Sequence, residues 1–158
     1  MHGHEQNNKI KHVANGQMNK KLREFFFKNL SMRAFLHGID KRDERSILQQ
    51  FKNIELNSGG KLINKNSHDR SLMFIATGQV MSMRSDKNQT YDEGSIIGIE
   101  QFLFGKAWED DLYCSQATTI CKFRYDSLNN MANQNASAAS RLFKRIMRHY
   151  CYEMVNQK

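Results

Sequence analysis

The chain has no proline, only three cysteines and nine glycines in 158 residues, and no apolar run long enough to cross a bilayer. The last absence excludes a membrane-spanning helix, which needs about 18–20 consecutive apolar residues. No apolar segment near the N-terminus matches a secretory signal. Cys114, Cys121 and Cys151 are odd in number, form no CxxC and have no metal-ligand spacing. They read as buried free thiols in a reducing compartment rather than as a zinc or redox centre. There is no Walker lysine and no strained elbow with ordered Ser, His and Asp. Asp110 and Asp111 with His68 or His149 make no recognisable catalytic set, so no enzyme is expected. The missing proline, beside frequent Asn and Lys, reflects the codon usage of an AT-rich coding genome rather than a mechanism.

What is present is charge, unevenly placed. The formal net charge is +8, distributed as +5 over residues 1–45, −1 over 46–140 and +4 over 141–158. Basic ends around a neutral centre suit an acidic protein partner, an anionic membrane surface or RNA, and they do not suit a basic ligand pocket in the middle. RNA gains no support from aromatic–basic interleaving.

Residues 1–19 are polar and lack periodicity, which predicts a flexible basic and polar arm ahead of one domain over 20–158. The pair His2 and His4 is too sparse to define a metal site, and no metal is expected. From Lys20 the spacing of Leu22, Phe25, Phe26, Leu30, Met32, Phe35 and Leu36 predicts a helix, stopped near Gly38. Asp40 is placed to cap a second helix with Ile47, Leu48 and Phe51 inward. The period then changes to two. Apolar pairs around Ile54, Leu62, Leu72, Val80, Ile96 and Leu112–Phe123 alternate with Gly or Asn/Ser turns, which predicts a small antiparallel barrel or sandwich. The last segment is helical, with Leu142, Phe143, Ile146, Met147, Tyr150 and Met154 on an apolar stripe. Arg141, Lys144, Arg145 and Arg148 recur at i, i+3, i+4 and i+7 on the other side, a candidate basic partner surface.

The stretch Gly94–Ala117, GSIIGIEQFLFGKAWEDDLYCSQA, has the outline of a phosphate-binding loop. A Gly98 turn leads to the short apolar helix-like segment Ile99–Phe104, and Gly105 opens a loop that ends Trp108-Glu109-Asp110-Asp111. Phosphate binding calls for exposed backbone N–H groups and an arginine fork. This loop offers three consecutive carboxylates instead.

The order of these marks resembles the cyclic nucleotide-binding domain family across roughly Leu22 to Met154. Phe35-Leu36-x-Gly38-Ile39 looks like the family's opening helix, and Ser58–Ile63 sits where it has an "x-G-E-x-I" turn. Ser71–Val80 is similar to the strand pair "x-L-Y-F-I-x-x-G-x-V", and Glu93–Gly98 to the "x-G-x-x-F-G" entry of the phosphate-binding cassette. The resemblance implies an α+β fold: an antiparallel jelly-roll barrel flanked by N-terminal helices and a C-terminal helix pair. In ligand-binding members a glutamate holds the ribose hydroxyl and an arginine the cyclic phosphate. Here those positions are Ile99, with Glu100 next to it, and Trp108, and the small residues that follow become Glu109, Asp110 and Asp111. Gly98, Ile99, Glu100, Trp108, Glu109, Asp110 and Asp111 are therefore the expected remains of a ligand pocket.

The expectation is a non-enzymatic regulatory or scaffolding module with no cofactor, in a reducing intracellular compartment, cytoplasmic or peripheral to a membrane complex. Its partners would be proteins, such as a transporter or channel of the kind that carries this domain, or an anionic membrane surface. The alternative is a cyclic nucleotide sensor, for cAMP or cGMP, with an altered pocket in which Glu100 reaches the ribose and Lys106 or Arg124 the phosphate. A DNA-binding regulator is disfavoured, because no helix-turn-helix follows the terminal helix before Lys158.

Overall fold

The computed structural model describes residues 35–83 and 88–156, together with Lys11–His12 and the single positions Glu24 and Arg33. The helix expected from Lys20 falls largely outside these residues, as do His2, His4 and most of the expected arm. Within that arm Lys11–His12 forms strand β1, paired with Ile54 and Glu55.

Phe35 and Leu36 are helical and lead to the turn at Gly38. Helix α1 (Lys41–Gln49) starts at Asp40, whose carboxylate accepts the Asp43 N–H at 2.8 Å. Strands β2 (Lys52–Leu56), β3 (Lys61–Ile63), β4 (Ser71–Thr77), β5 (Gln79–Met83), β6 (Gln89–Asp92) and β7 (Ile96–Ile97) follow. Helix α2 (Ile99–Phe104) interrupts them before β8 (Asp111–Cys114) and β9 (Thr118–Arg124), and α3 (Tyr125–Gln134) and α4 (Ala136–Asn156) end the chain. The strands form two antiparallel sheets of order β1-β2-β9-β4-β7 and β3-β8-β5-β6. This is the expected jelly roll with helices at both ends. Strand β6 was not expected, since Gln-Thr-Tyr-Asp carries no apolar alternation, and it lies at a sheet edge paired with β5.

Period-2 alternation divides the interior into two cores. In β4, Leu72 and Phe74 point to the helices while Met73 and Ile75 point into the barrel. Strand β9 does the same with Cys121 and Phe123 on the helix side and Ile120 on the barrel side. Both faces of this sheet are covered, which is why β4 reads as an unbroken apolar run. On the helix side Phe51 meets Phe74 and Phe123 at 5.4 and 4.9 Å between ring centroids. Each such fully buried side chain contributes about 1.5–3 kcal/mol of burial free energy.

A polar staple orders the helices. Asn135 caps α4 by accepting the Ala138 N–H at 3.1 Å, and its Nδ2 donates to Asp43 Oδ1 at 2.8 Å. Asp43 is 8% exposed, so this bond and Arg141 Nη1 at 3.6 Å satisfy a carboxylate that burial would otherwise penalise. The apolar stripe of α4 is rotated from the expected one. Ala138, Ala139, Leu142 and Ile146 are buried, whereas Phe143 and Met154 are exposed. The small alanines let α4 approach closely, and the far end of the helix runs beyond the helix-side core.

Candidate functional site

The turn into α2 fixes the centre of the candidate site. Gly98 has φ +86°, and a Cβ there would lie 2.5 Å from the Ser71 carbonyl oxygen and 2.9 Å from the Trp108 ring. Glycine is required twice over, by backbone conformation and by contact. Gly59, Gly78 and Gly94, the other glycines expected at strand reversals, also have positive φ.

The far end of α2 is held by a residue that sequence reading missed. Arg70 donates from Nε to the Phe102 carbonyl at 2.7 Å and from Nη2 to the Leu103 carbonyl at 2.9 Å. Its guanidinium lies 3.5 Å from the Tyr125 ring centroid. A cation on the last carbonyls satisfies acceptors left over by the helix and complements its dipole. Arg70 is therefore committed to structure.

Trp108 stands where the resemblance puts an arginine, and it faces inward. It is 6% exposed and packs in the barrel core. Its Nε1–H donates to the Asp69 carbonyl at 2.8 Å, and its own backbone N–H and carbonyl bond Ser67 and Asn66. The indole has a single N–H, so Trp108 has no donor left for an anion. Beneath it Asp69 accepts from Lys122 at 2.5 Å and Ser71 at 2.6 Å. Burial pushes the Asp69 carboxyl up, but the Lys122 and Ser71 hydrogen bonds prevail and hold it below its ordinary range.

Beside this loop, and bordered by Trp108, lies a cavity of about 740 Å³, between β5–β7, α2, the loop and the end of α4. Of the seven expected pocket residues, Gly98, Ile99, Glu100, Trp108, Glu109 and Asp110 line it. Asp111 does not, which corrects that expectation. Being on β8, its side chain points the opposite way from the cavity-lining Asp110 and Leu112, accepting from the Lys65 N–H at 2.7 Å and lying 3.3 Å from Lys61 Nζ. The Lys65 N–H and the Lys61 ammonium hold the Asp111 carboxyl low.

Among the described residues, four carboxylates line the cavity, those of Glu100, Glu109, Asp110 and Glu153, beside one ammonium, that of Lys106. With His149 counted as neutral, the described part of the lining carries a formal charge of −3. Lys106 lies 3.0 Å from Glu109 and 3.5 Å from Glu100, and these carboxylates raise its pKa, Glu109 the more strongly. Asp110 accepts from the hydroxyl of Ser82, itself 2% exposed, at 3.1 Å. His149 Nε2 sits 3.0 Å from Glu153. Arg124 is not on the cavity wall, and its guanidinium lies 3.7 Å from Asp126. Serine, aspartate and histidine thus share one wall without forming a triad: the Ser82 proton goes to a carboxylate, and the imidazole is spent on Glu153.

The basic stripe on α4 is only partly an outer surface. Arg141 lies near Asp43, and Arg145 Nη2 donates to the His37 carbonyl. Arg141, Lys144 and Arg148 are exposed, while Arg145 is half-buried. All three cysteines are free thiols. Cys114 and Cys121 are buried as expected, but Cys151 is exposed near the end of α4, which corrects the expectation for that residue. Burial pushes the Cys121 thiol up to about 12. No described helix is long and apolar enough to cross a membrane.

No family model and no curated protein matches the chain. Solved structures do. A cyclic nucleotide-binding domain from Methylobacillus flagellatus is 15% identical at a TM-score of 0.73, covering 96% of this chain and 86% of that one. The N-terminal domain of a transcriptional regulator from Streptomyces coelicolor is 13% identical at 0.65, covering 82% and 94%. The regulatory subunit of a cAMP-independent protein kinase A from Trypanosoma brucei is 18% identical at 0.62, covering 83% of this chain and 46% of that one. These likenesses show the fold, which is that of cyclic nucleotide-binding domains.

Proposed function

We propose that this chain is a non-enzymatic regulatory module, a cyclic nucleotide-binding fold that does not take cAMP or cGMP and acts by contact with a protein partner in a larger assembly. The observation that carries the reading is the inversion of charge at the cavity. Where a cyclic phosphate needs a fork of donors, Trp108 is buried with its N–H used, and the described residues of the wall bear a formal −3. An arginine–phosphate contact contributes on the order of 2–3 kcal/mol. Each carboxylate near the phosphate would instead cost about 1 kcal/mol even at water-like screening. The one ammonium among the described residues of the wall, Lys106, is already shared by Glu100 and Glu109.

The partner side of the proposal rests on Arg141, Lys144 and Arg148, exposed on α4. They suit an acidic protein surface, with an anionic membrane as the other candidate, and the three free thiols suit a reducing compartment. Thermal denaturation with millimolar cAMP or cGMP tests the reading. A sensor with micromolar affinity would gain about 4 kcal/mol, a rise on the order of ten degrees for a domain this size. The expected result is no rise.

A second reading keeps the chain as a cyclic nucleotide sensor with an altered pocket. It is favoured by the open cavity and by Glu100 and Lys106 on its wall. It requires Glu100→Ala to abolish nucleotide binding, and unchanged binding in that variant would remove Glu100 from such a role.

A further inference from the structure

Helix α4 carries more apolar residues than the fold uses. Ala138, Ala139, Leu142 and Ile146 are buried against the helix-side core. A second row runs beside them: Phe143, Met147, Tyr150 and Met154, spaced four, three and four residues apart. That spacing is the seam of a helix that meets another helix along its length. Phe143 is 40% and Met154 47% exposed, while Met147 and Tyr150 are half-buried. On α2, the exposed Phe104 ring meets Tyr150 edge-on at 5.5 Å between centroids, which widens the apolar strip. Around α4, Lys144 and Arg148 lie between this row and Arg141, which reaches Asp43 of α1. Both are exposed, and among the described residues neither has a carboxylate partner. An apolar row with unpaired cations along one edge complements an amphipathic helix whose apolar stripe is edged with carboxylates.

Two other occupants fit the row less well. A second copy would bring Arg141, Lys144, Arg145 and Arg148 toward a like block. The single acidic residue of α4, Glu153, lies 3.0 Å from His149 and offsets little of that repulsion. A flat anionic membrane would meet Glu100, Glu109 and Glu153 as well, since Tyr150 and Met154 border the cavity these residues line. Headgroups of the same sign would repel them.

We propose that α4 is the docking face for an α-helix of another protein. That helix lies along Phe143, Met147, Tyr150 and Met154, with its Asp/Glu flank against Lys144 and Arg148. This rests on the reading of the chain as a module that meets an acidic protein surface, and adds the form of that surface, one amphipathic helix.

The test uses a labelled synthetic peptide of about three heptads, with Leu at a and d and Glu at the flanking positions, whose like charges keep it from pairing with itself. Fluorescence anisotropy with the full chain should show saturable binding that added salt weakens. The same peptide with Lys in place of every Glu should not bind. The double variant Lys144→Glu, Arg148→Glu should weaken binding of the acidic peptide by about tenfold or more and should gain binding of the basic one. Phe143→Ser should weaken the acidic peptide by about tenfold. Both charged positions are exposed, so the double variant should keep its melting temperature, and the gained basic peptide separates lost charge from lost fold. Equal binding of the two peptides overturns the proposal, as does acidic-peptide binding that the double variant leaves unchanged. Failure of the acidic peptide to bind at about millimolar concentration overturns it too. Dimerisation of the chain that Phe143→Ser abolishes would assign the face to a second copy. Binding to phosphatidylserine vesicles that the double variant abolishes, with no binding of the acidic peptide, would assign it to a membrane. Either result overturns the proposal. If the peptide fails while cAMP and cGMP remain silent, only this inference falls. If a cyclic nucleotide binds, the parent reading falls whatever the peptide does.

Discussion

The loop Lys106–Asp111 has two sides that do different work. Its inward side, Trp108 against Gly98 and the Asp69 carbonyl, is buried, hydrogen-bonded and shaped to a glycine that tolerates no side chain, even though Trp108 and Gly98 also border the cavity. Its cavity side, Lys106, Glu109 and Asp110, is half-exposed and held by ion pairs and one hydroxyl. Burial and saturated hydrogen bonds give the first side its stability, whereas solvent screening leaves the second with little. The difference teaches that one loop can fix its backbone through one set of residues and leave its charge to another. The turns depend on glycines and an inward ring, and the cavity wall is free to vary in charge.

The comparison predicts a graded series of variants. The largest loss belongs to Trp108→Ala, which opens the barrel core and should cost about 3–5 kcal/mol, a fall in melting temperature on the order of ten degrees. Trp108→Arg should be comparably destabilising and should not confer cAMP binding, since the carboxylates opposite remain; recovered nucleotide binding would break the contrast between the two sides. Gly98→Ala comes next, at about 2 kcal/mol or more, from a left-handed backbone and a clash with the Ser71 carbonyl. Arg70→Ala should cost about 1.5–3 kcal/mol through the carbonyls it leaves at the end of α2, and Arg70→Lys should recover only part of this, as one ammonium cannot reproduce the fork.

Asp69 sharpens the contrast through pH. Its carboxyl is lowered in the folded chain, so the stability it contributes is fully present above the ordinary aspartate range and is lost as pH falls through the lowered value. Denaturation between neutral and acid pH should therefore show an acid slope that Asp69→Asn reduces. The smallest effects belong to the cavity side. Glu109→Gln and Lys106→Ala should leave the melting temperature where it is, and a large fall in either would erase the distinction. Thiol labelling gives an independent check on burial: in the native chain Cys151 should react, Cys121 and Cys114 only after denaturation.

Most of the barrel was legible because its turns demand glycine and its strands alternate. Gly59, Gly78, Gly94 and Gly98 punctuate it, and Asp40 announces α1 as a cap. Strand β6 was hidden because an exposed edge strand needs no apolar face. Helix α3 is expected only through the resemblance, since its own apolar signal is limited to Leu128 and Met131. Within the site, the tryptophan at position 108 and the acidity of the loop could be read directly. The direction of each side chain could not: Asp111 leaves the cavity because strand alternation begins there. Arg70 escaped because its partners, Phe102 and Leu103, lie more than thirty positions away and are backbone carbonyls, which no side-chain pattern records. His149 and Glu153 reach the cavity only because α4 runs past it.

The proposed function turns on a cavity closed to cyclic nucleotides by its charge. Calorimetric titration of the full chain with millimolar cAMP and cGMP, at low and at physiological salt, tests it most directly. The account predicts no saturable heat with either nucleotide. Saturable binding of either nucleotide would contradict it, and its disappearance in Lys106→Ala would show that ammonium serving as a phosphate anchor after all.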